Sequence, residues 1–152
     1  MYNKIHLVEC PRDAMQGWPH FIPTHKKIEY LNQLLKVGFD TLDFGSFVSP
    51  GLIPQMADTK AVLSALKRGA SKTKLLAIVA NTRGAREACG YPEINDIGFP
   101  FSVSETFQRR NANSSIEKSF GTVREIQALC ASHSKRLVIY ISMAFGNPYQ
   151  DP

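Results

Sequence analysis

The chain has 152 residues, 43% hydrophobic and 20% charged, with a mean hydropathy of −0.18, as in an ordinary globular domain of average size. The net charge of +5 and pI of about 9.2 favour anionic partners. Its basic residues, however, fall in short clusters (Lys26-Lys27, Lys67-Arg68, Arg109-Arg110) without the aromatic-interleaved stripe of a nucleic-acid surface, so no nucleic-acid partner is expected.

Three widely spaced cysteines, Cys10, Cys89 and Cys130, exclude a disulfide framework and a CxxC metal site, and point to a reducing compartment. The first residues, MYNKIHLVEC, lack the apolar core and small-residue cleavage pattern of a signal peptide. No stretch approaches the roughly 20 apolar residues of a membrane span. A soluble cytoplasmic protein with no membrane contact is the expectation.

IHLVEC (5–10) reads as a first strand. THKKIEYLNQLLKVG (24–38) reads as a helix, with Ile28, Leu31, Leu34 and Leu35 at helical spacing, Thr24 as N-cap and Gly38 as stop. DTLDFG (40–45) is a short strand, and DTKAVLSALKRG (58–69) a helix capped by Asp58 and closed by Gly69. KLLAIVAN (74–81) is a near-continuous apolar run, as expected of a parallel strand covered on both faces. RGAREACG (83–90) is a weaker helix, and INDIGFPFS (94–102) a fourth strand with its loop. SSIEKSFGTVREIQALCASH (114–133) is a long helix, with Ser114 and Glu117 at capping-box spacing and Ile116, Phe120 and Val123 on one face. KRLVIYISMAFG (135–146) is the fifth strand.

Strict alternation of strand and helix predicts a parallel sheet with right-handed crossovers. Two architectures fit: an open doubly wound sheet, or part of a (β/α)8 barrel. Both place their sites beyond the C-terminal ends of the strands. There is no GxGxxG after the first strand and no GxxxxGK[ST], which weakens the common nucleotide-binding versions.

The predicted strand ends carry a polar set. Arg12, Asp13 and Gln16 follow the first strand; Asp43 lies in the second and Ser46 follows it; Asn81 ends the third. Ser102, Ser104, Glu105, Asn111 and Asn113 follow the fourth, while Ser142 and Asn147 belong to the fifth and its loop. A parallel sheet brings Arg12, Asp13 and Asp43 together. An aspartate there suits a hard divalent cation, and an arginine suits a developing oxyanion. An ion pair between Arg12 and Asp43 that only closes the sheet fits the same residues equally well.

These residues resemble a known family. VECPRDAMQ is similar to the first-strand signature of 3-hydroxy-3-methylglutaryl-CoA lyase, a glycine-proline-arginine-aspartate-glycine-leucine-glutamine run. SFVSPGLIPQMAD (46–58) resembles its second-strand loop and is the most specific match. NTRG (81–84), SVSETFQRRNANSSIEKSF (102–120) and SMAFGNPYQ (142–150) resemble the loops after strands three, four and five. The matches run in order across essentially the whole chain. Related aldol and Claisen enzymes, such as isopropylmalate synthase and homocitrate synthase, share the arginine-aspartate start.

The resemblance implies a (β/α)8 TIM barrel, with residues 1–152 as about its first five βα units and the N-terminal part of a single catalytic domain. It implies cleavage of an acyl-CoA substrate, 3-hydroxy-3-methylglutaryl-CoA, to acetyl-CoA and acetoacetate with Mg2+ or Mn2+, and a homo-oligomer (a dimer) at full length. Asp13 matches the metal-ligand aspartate, and Arg12 the arginine that stabilises the enolate oxygen. Asp43 falls where the family has a catalytic glutamate. Gln16, Ser46, Asn81 and Asn111 match polar positions near substrate or metal. The alternatives are a related metal-dependent aldolase or Claisen-condensing enzyme, and a non-catalytic module that keeps only the fold.

The chain departs from the pattern in several places. Ala14 and Met15 replace a glycine and a leucine, and Cys10 runs directly into Pro11. Asp43 draws its carboxylate back by roughly 1.5 Å relative to glutamate, one bond length. A shift of about 1 Å can cost about a hundredfold in rate, which implies weaker activity or a different substrate. The four histidines, His6, His20, His25 and His133, include no His-x-His pair of the kind that completes the family's metal site. Cys10 reads as a small buried hydrophobe rather than a nucleophile. The expectation is one metal ligand and no activity from these residues alone.

Overall fold

A computed structural model describes residues 5–151. The chain divides into two compact units, the first ending at Ala77 and the second starting at Ile78. The sheet order is β1-β2-β3-β4-β5, the order of the sequence itself.

In the first unit, β1 (Val8–Glu9) pairs in parallel with β2 (Thr41–Ser46), Val8 opposite Thr41 and Glu9 opposite Leu42. β1 is shorter than the apolar run 5–10 predicts, because the chain turns into helix α1 (Pro11–Gln16). Pro11 stands at the first helical position, where its missing N–H costs nothing and its fixed φ favours the turn. Six residues are too few to show helical periodicity, so only tertiary packing makes this helix stable. Met15 is buried, and α1 packs on β2 and on a 3-10 turn at Pro54–Met56. Ala14 does not take a positive φ, so the loss of the family glycine there costs no backbone strain.

Helix α2 (Thr24–Val37) lies where the periodicity places it and ends at Gly38, whose φ of 92° is the left-handed stop. Its buried line is Lys27, Leu31 and Leu35, one residue every four; Pro23 rather than Thr24 is the capping position. β2 is buried at all six positions. Helix α3 (Thr59–Ser64) stops five residues short of Gly69. Asn32 on α2 explains this: it donates to the Ala65 carbonyl at 3.4 Å and accepts from the Lys67 amide at 2.7 Å, diverting the groups that would continue the helix. β3 (Lys74–Ile78) begins beside β2, with the Lys74 amide donating to the Asp40 carbonyl at 3.0 Å.

In the second unit, Val79 continues the third strand's line, its amide donating to the Gly98 carbonyl at 2.9 Å. β4 (Ile94–Ser102) pairs in parallel with β5 (Arg136–Ser142), Asp96 opposite Arg136 through Ser102 opposite Ser142. β4 is mostly buried, whereas β5 is half-buried along most of its length. Helix α4 (Thr82–Cys89) buries Gly84, Ala85, Ala88 and Cys89, a small-residue face that lets it approach α6 (Ile116–Ser132) closely. Thr82 Oγ1 donates to Glu125 Oε2 at 2.6 Å across that contact.

Helix α5 (Glu105–Ala112) occupies a stretch read from the sequence as loop. α6 is capped by Ser115, which accepts from the Lys118 amide at 3.1 Å, so the predicted Ser114 box shifts by one residue. Ser119, Ile126 and Cys130 form its buried line. Phe120 is half-exposed and packs on Phe101 in a tilted pair with ring centroids 5.0 Å apart.

Candidate active site

The first unit gathers four of the predicted site residues around one guanidinium. Arg12, Asp13 and Gln16 all lie on α1; Gln16, at i+4, shares the face of Arg12, whereas Asp13, at i+1, is reached by the long arginine side chain. Asp43 comes up from the middle of β2. Arg12 Nη2 donates to Asp43 Oδ2 at 2.6 Å, and Nε lies 3.1 and 3.2 Å from the two Asp43 oxygens. Nη1 donates to Asp13 Oδ1 at 3.0 Å and to Gln16 Oε1 at 2.9 Å. Arg12 retains 8% of its exposure and Asp43 none.

The shorter carboxylate at position 43 therefore still reaches the arginine. A buried pair of this kind is costly to break from one side: removing one partner costs about 3–5 kcal/mol because the other charge stays behind. Burial lifts the Asp43 carboxyl above its ordinary value, outweighing the hydrogen bond and charge of Arg12, which lower it. Cys10, half-buried beside this cluster, has its thiol raised by burial first and by the Asp43 charge second. A raised thiol holds less of the reactive thiolate, although Cys10 is only half-buried where the sequence context predicts a buried residue.

Asp13 differs from its neighbours, since its side chain is 66% exposed while Arg12 anchors one oxygen. It presents a carboxylate outward from a fixed base. Among the described residues no three His, Cys, Asp or Glu side chains gather closely enough to hold a metal ion. These residues alone do not make a metal centre; Asp13 leaves one carboxylate oxygen open to solvent.

Ser46 ends β2, its Oγ accepting from the Val48 amide at 3.2 Å and its own amide donating to Thr59 Oγ1 at 3.2 Å. Between Asp43 and Ser46, Gly45 leaves no room for a side chain: a Cβ there would lie 2.7 Å from Thr59 Cγ2.

Asn81 and Asn111 belong to the second unit. Asn81 is the N-cap of α4, its Oδ1 accepting from the Gly84 amide at 2.9 Å. Asn111 lies exposed on the last turn of α5. No described hydrogen bond joins the two.

The serines after β4 serve the local architecture. Ser104 caps α5 by accepting from Phe107, and Ser102 Oγ accepts from the Ser104 amide at 3.1 Å. Glu105 binds Arg109 at 2.7 Å and the Ile116 amide at 2.8 Å, tying α5 to the start of α6. Asp151 folds back onto the start of α5, accepting from the Thr106 amide at 2.9 Å, from Thr106 Oγ1 at 2.8 Å and from Ser104 Oγ. The Ser104 bond, then the two from Thr106, lower its pKa.

Sequence reading gave no site role to three polar residues that frame the first unit's site, Lys27, Gln55 and Asp58; Asp58 was read only as a helix cap, and Gln55 only as part of the matched run 46–58. One signal pointed to Lys27. It stands four residues before Leu31 and eight before Leu35, a lysine at the head of the apolar stripe.

No protein-family model matches the chain. Its sequence is 34% identical over 151 residues to mouse mitochondrial hydroxymethylglutaryl-CoA lyase, covering 97% of this chain and 45% of the relative. It is 33% identical over 149 residues to the rat cytoplasmic 3-hydroxy-3-methylglutaryl-CoA lyase, covering 96% and 42%. Among solved structures, hydroxymethylglutaryl-CoA lyase from Pseudomonas aeruginosa superposes with a TM-score of 0.88 at 31% identity, covering 97% of this chain and 49% of that one. An HMG-CoA lyase from Acinetobacter baumannii, in complex with coenzyme A and 3-methylmalate, superposes with a TM-score of 0.86 at 29% identity, covering 95% and 47%. The chain thus spans under half the length of these curated relatives.

The superposed structures and the in-order sheet make the fold an incomplete (β/α)8 barrel of five βα units, rather than an open doubly wound sheet. Sequence and fold agree: over nearly its whole length the chain is similar to the N-terminal part of HMG-CoA lyases.

Proposed function

We propose that this chain forms part of the single catalytic domain of a carbon–carbon lyase that cleaves 3-hydroxy-3-methylglutaryl-CoA to acetyl-CoA and acetoacetate. The observation that carries the reading is the Arg12 guanidinium, buried and held by Asp43, Asp13 and Gln16 at the mouth of the first two strands. The bound coenzyme A in the Acinetobacter relative supports an acyl-CoA substrate.

The reaction removes the proton of the tertiary hydroxyl, breaks a carbon–carbon bond and leaves the electron pair on the thioester as an enolate. Arg12 is placed to stabilise that enolate, since its donors are fixed before charge develops. Asp43 holds Arg12 and, with a raised carboxyl, is suited to proton exchange. Gln16, Ser46, Asn81 and Asn111 are the proposed substrate contacts.

Asp13 is the proposed ligand of a divalent cation, Mg2+ or Mn2+, which needs further ligands from outside the described residues. A cation of this kind makes the substrate hydroxyl more acidic. The three free thiols favour a reducing, cytoplasmic setting, and a homodimer of the complete protein belongs to the same reading. The aspartate at position 43 favours one second reading, a related metal-dependent aldolase or Claisen-condensing enzyme with a different acyl substrate.

Acetoacetate release by the natural gene product with Mg2+ tests the proposal. Arg12→Gln is expected to lower turnover by at least about 10²–10³-fold, the cost of losing an oxyanion donor. Turnover that survives the substitution removes Arg12 from the mechanism.

A further inference from the structure

The segment that follows α1 and the loop that follows β2 are joined by a buried polar cluster. Gln55, in the 3-10 turn, accepts from the Ile22 amide at 2.8 Å and donates to the carbonyls of Trp18 at 3.1 Å and His20 at 2.9 Å. Its own backbone carbonyl accepts from Lys27 Nζ, which also donates to Asp58 Oδ1 at 2.8 Å and sits 4.2 Å from the centroid of the Phe21 ring. Lys27 is 2% exposed and Gln55 4%. Asp58 Oδ2 is buried and has no partner among the described residues, so Lys27 is the counter-charge that keeps Asp58 in place.

A surface lysine needs none of this. Desolvating an ammonium is expensive, and its cost is offset here by three fixed partners. What those partners share is their position: residues 18–22 leave α1, which carries Arg12, and residues 55–58 lie in the loop that leaves β2, which carries Asp43. α1 itself rests on the 3-10 turn that contains Gln55.

We propose that Lys27 and Gln55 are positioning residues that latch the two strand-end loops together and thereby fix the Arg12–Asp43 geometry. The proposal deepens the lyase reading, on which only its catalytic meaning rests. Its test does not use turnover, so failure of the lyase reading and failure of the latch are separable.

Hydrogen exchange of the Arg12 Nε–H, followed by NMR on the chain, reports the Arg12–Asp43 bond directly. Lys27→Met leaves Asp58 buried and unpaired and is expected to lower global stability. The double variant Lys27→Met/Asp58→Leu removes both charges and is expected to regain most of that stability, since buried pairs replaced by apolar groups are often tolerated. In the double variant, exchange at the Ile22 amide and at Arg12 Nε–H is expected to rise at least about tenfold, the signature of local opening. Amides of β4 are expected to keep the parent rate. A merely structural role would release Ile22 and leave Arg12 as it was, and that result overturns the proposal. Gln55→Met, which keeps Lys27 and Asp58, is expected to loosen Arg12 in the same way. Parent-like Arg12 exchange in Gln55→Met overturns it equally.

Discussion

Arg12 answers two questions with one geometry. The bond to Asp43 is a structural ion pair by its burial, and the same bond is the one the proposed lyase chemistry would use. The sequence alone left those readings level because both predict the same contact. The pH dependence of stability gives the pair a measurable signature. With its carboxyl raised by burial, native Asp43 keeps its proton to a higher pH than the unfolded chain, whose ordinary value is 3.8. Its contribution to stability is therefore full below 3.8 and is lost as pH rises through the raised native value. Asp43→Asn should abolish that slope. Urea melts of parent and variant, stepped upward from pH 3.8, should show the parent losing stability relative to the variant over that interval; parallel curves would mean that Asp43 titrates alike in the folded and unfolded chain.

At the scale of elements, legibility followed apolar pattern. α2 and β4 were legible because each spans enough residues for its period to show, and β1 was placed correctly but drawn too long. α1 and α5 were not, because their short, mostly polar sequences carry little apolar periodicity and owe their form to neighbours. The same rule applies to the site. Arg12, Asp13 and Gln16 were identifiable as a polar cluster after a strand, but their place on a helical turn was not. Lys27 was hidden because a lysine in an amphipathic helix normally faces water, and only the loop 55–58 gives it a buried partner.

Asn81 shows the reverse case, a residue singled out by pattern whose oxygen has local structural work as the N-cap of α4. Asn81→Ala is expected to cost about 1 kcal/mol, typical of a lost N-cap, and Asn81→Ser, which restores an acceptor, should recover most of it. Thermal melts of the two variants measure the difference.

At the scale of the whole molecule, the three thiols report the folded state. Cys89 and Cys130 are buried where α4 meets α6, and burial with the neighbouring Cys89 pushes the Cys130 thiol up to about 12. Thiolate is the reactive form, so neither should react while the chain is folded. At pH 8 an aromatic disulfide reagent should modify half-buried Cys10 first, though slowly because its thiol is also raised. Cys89 and Cys130 should follow only at the unfolding rate. Rapid release of all three equivalents from native protein would show that the α4–α6 contact opens readily. No described helix is long and apolar enough to cross a membrane. Large apolar side chains such as Leu52, Ile141 and Phe145 stand exposed, the last two in β5 and the turn after it, and β5 is less buried than β4.

Gly45 has a further consequence, one of descent. The Thr59 methyl group fills the space that any side chain at position 45 would need. A lineage that carries threonine at 59 is held to glycine at 45, two residues from Asp43, whatever its substrate demands. A bulkier residue at 45 becomes admissible only after position 59 has shrunk or turned aside. Change in this part of the site is therefore coupled to a helix residue outside the Arg12 cluster, which must yield whenever position 45 gains a side chain.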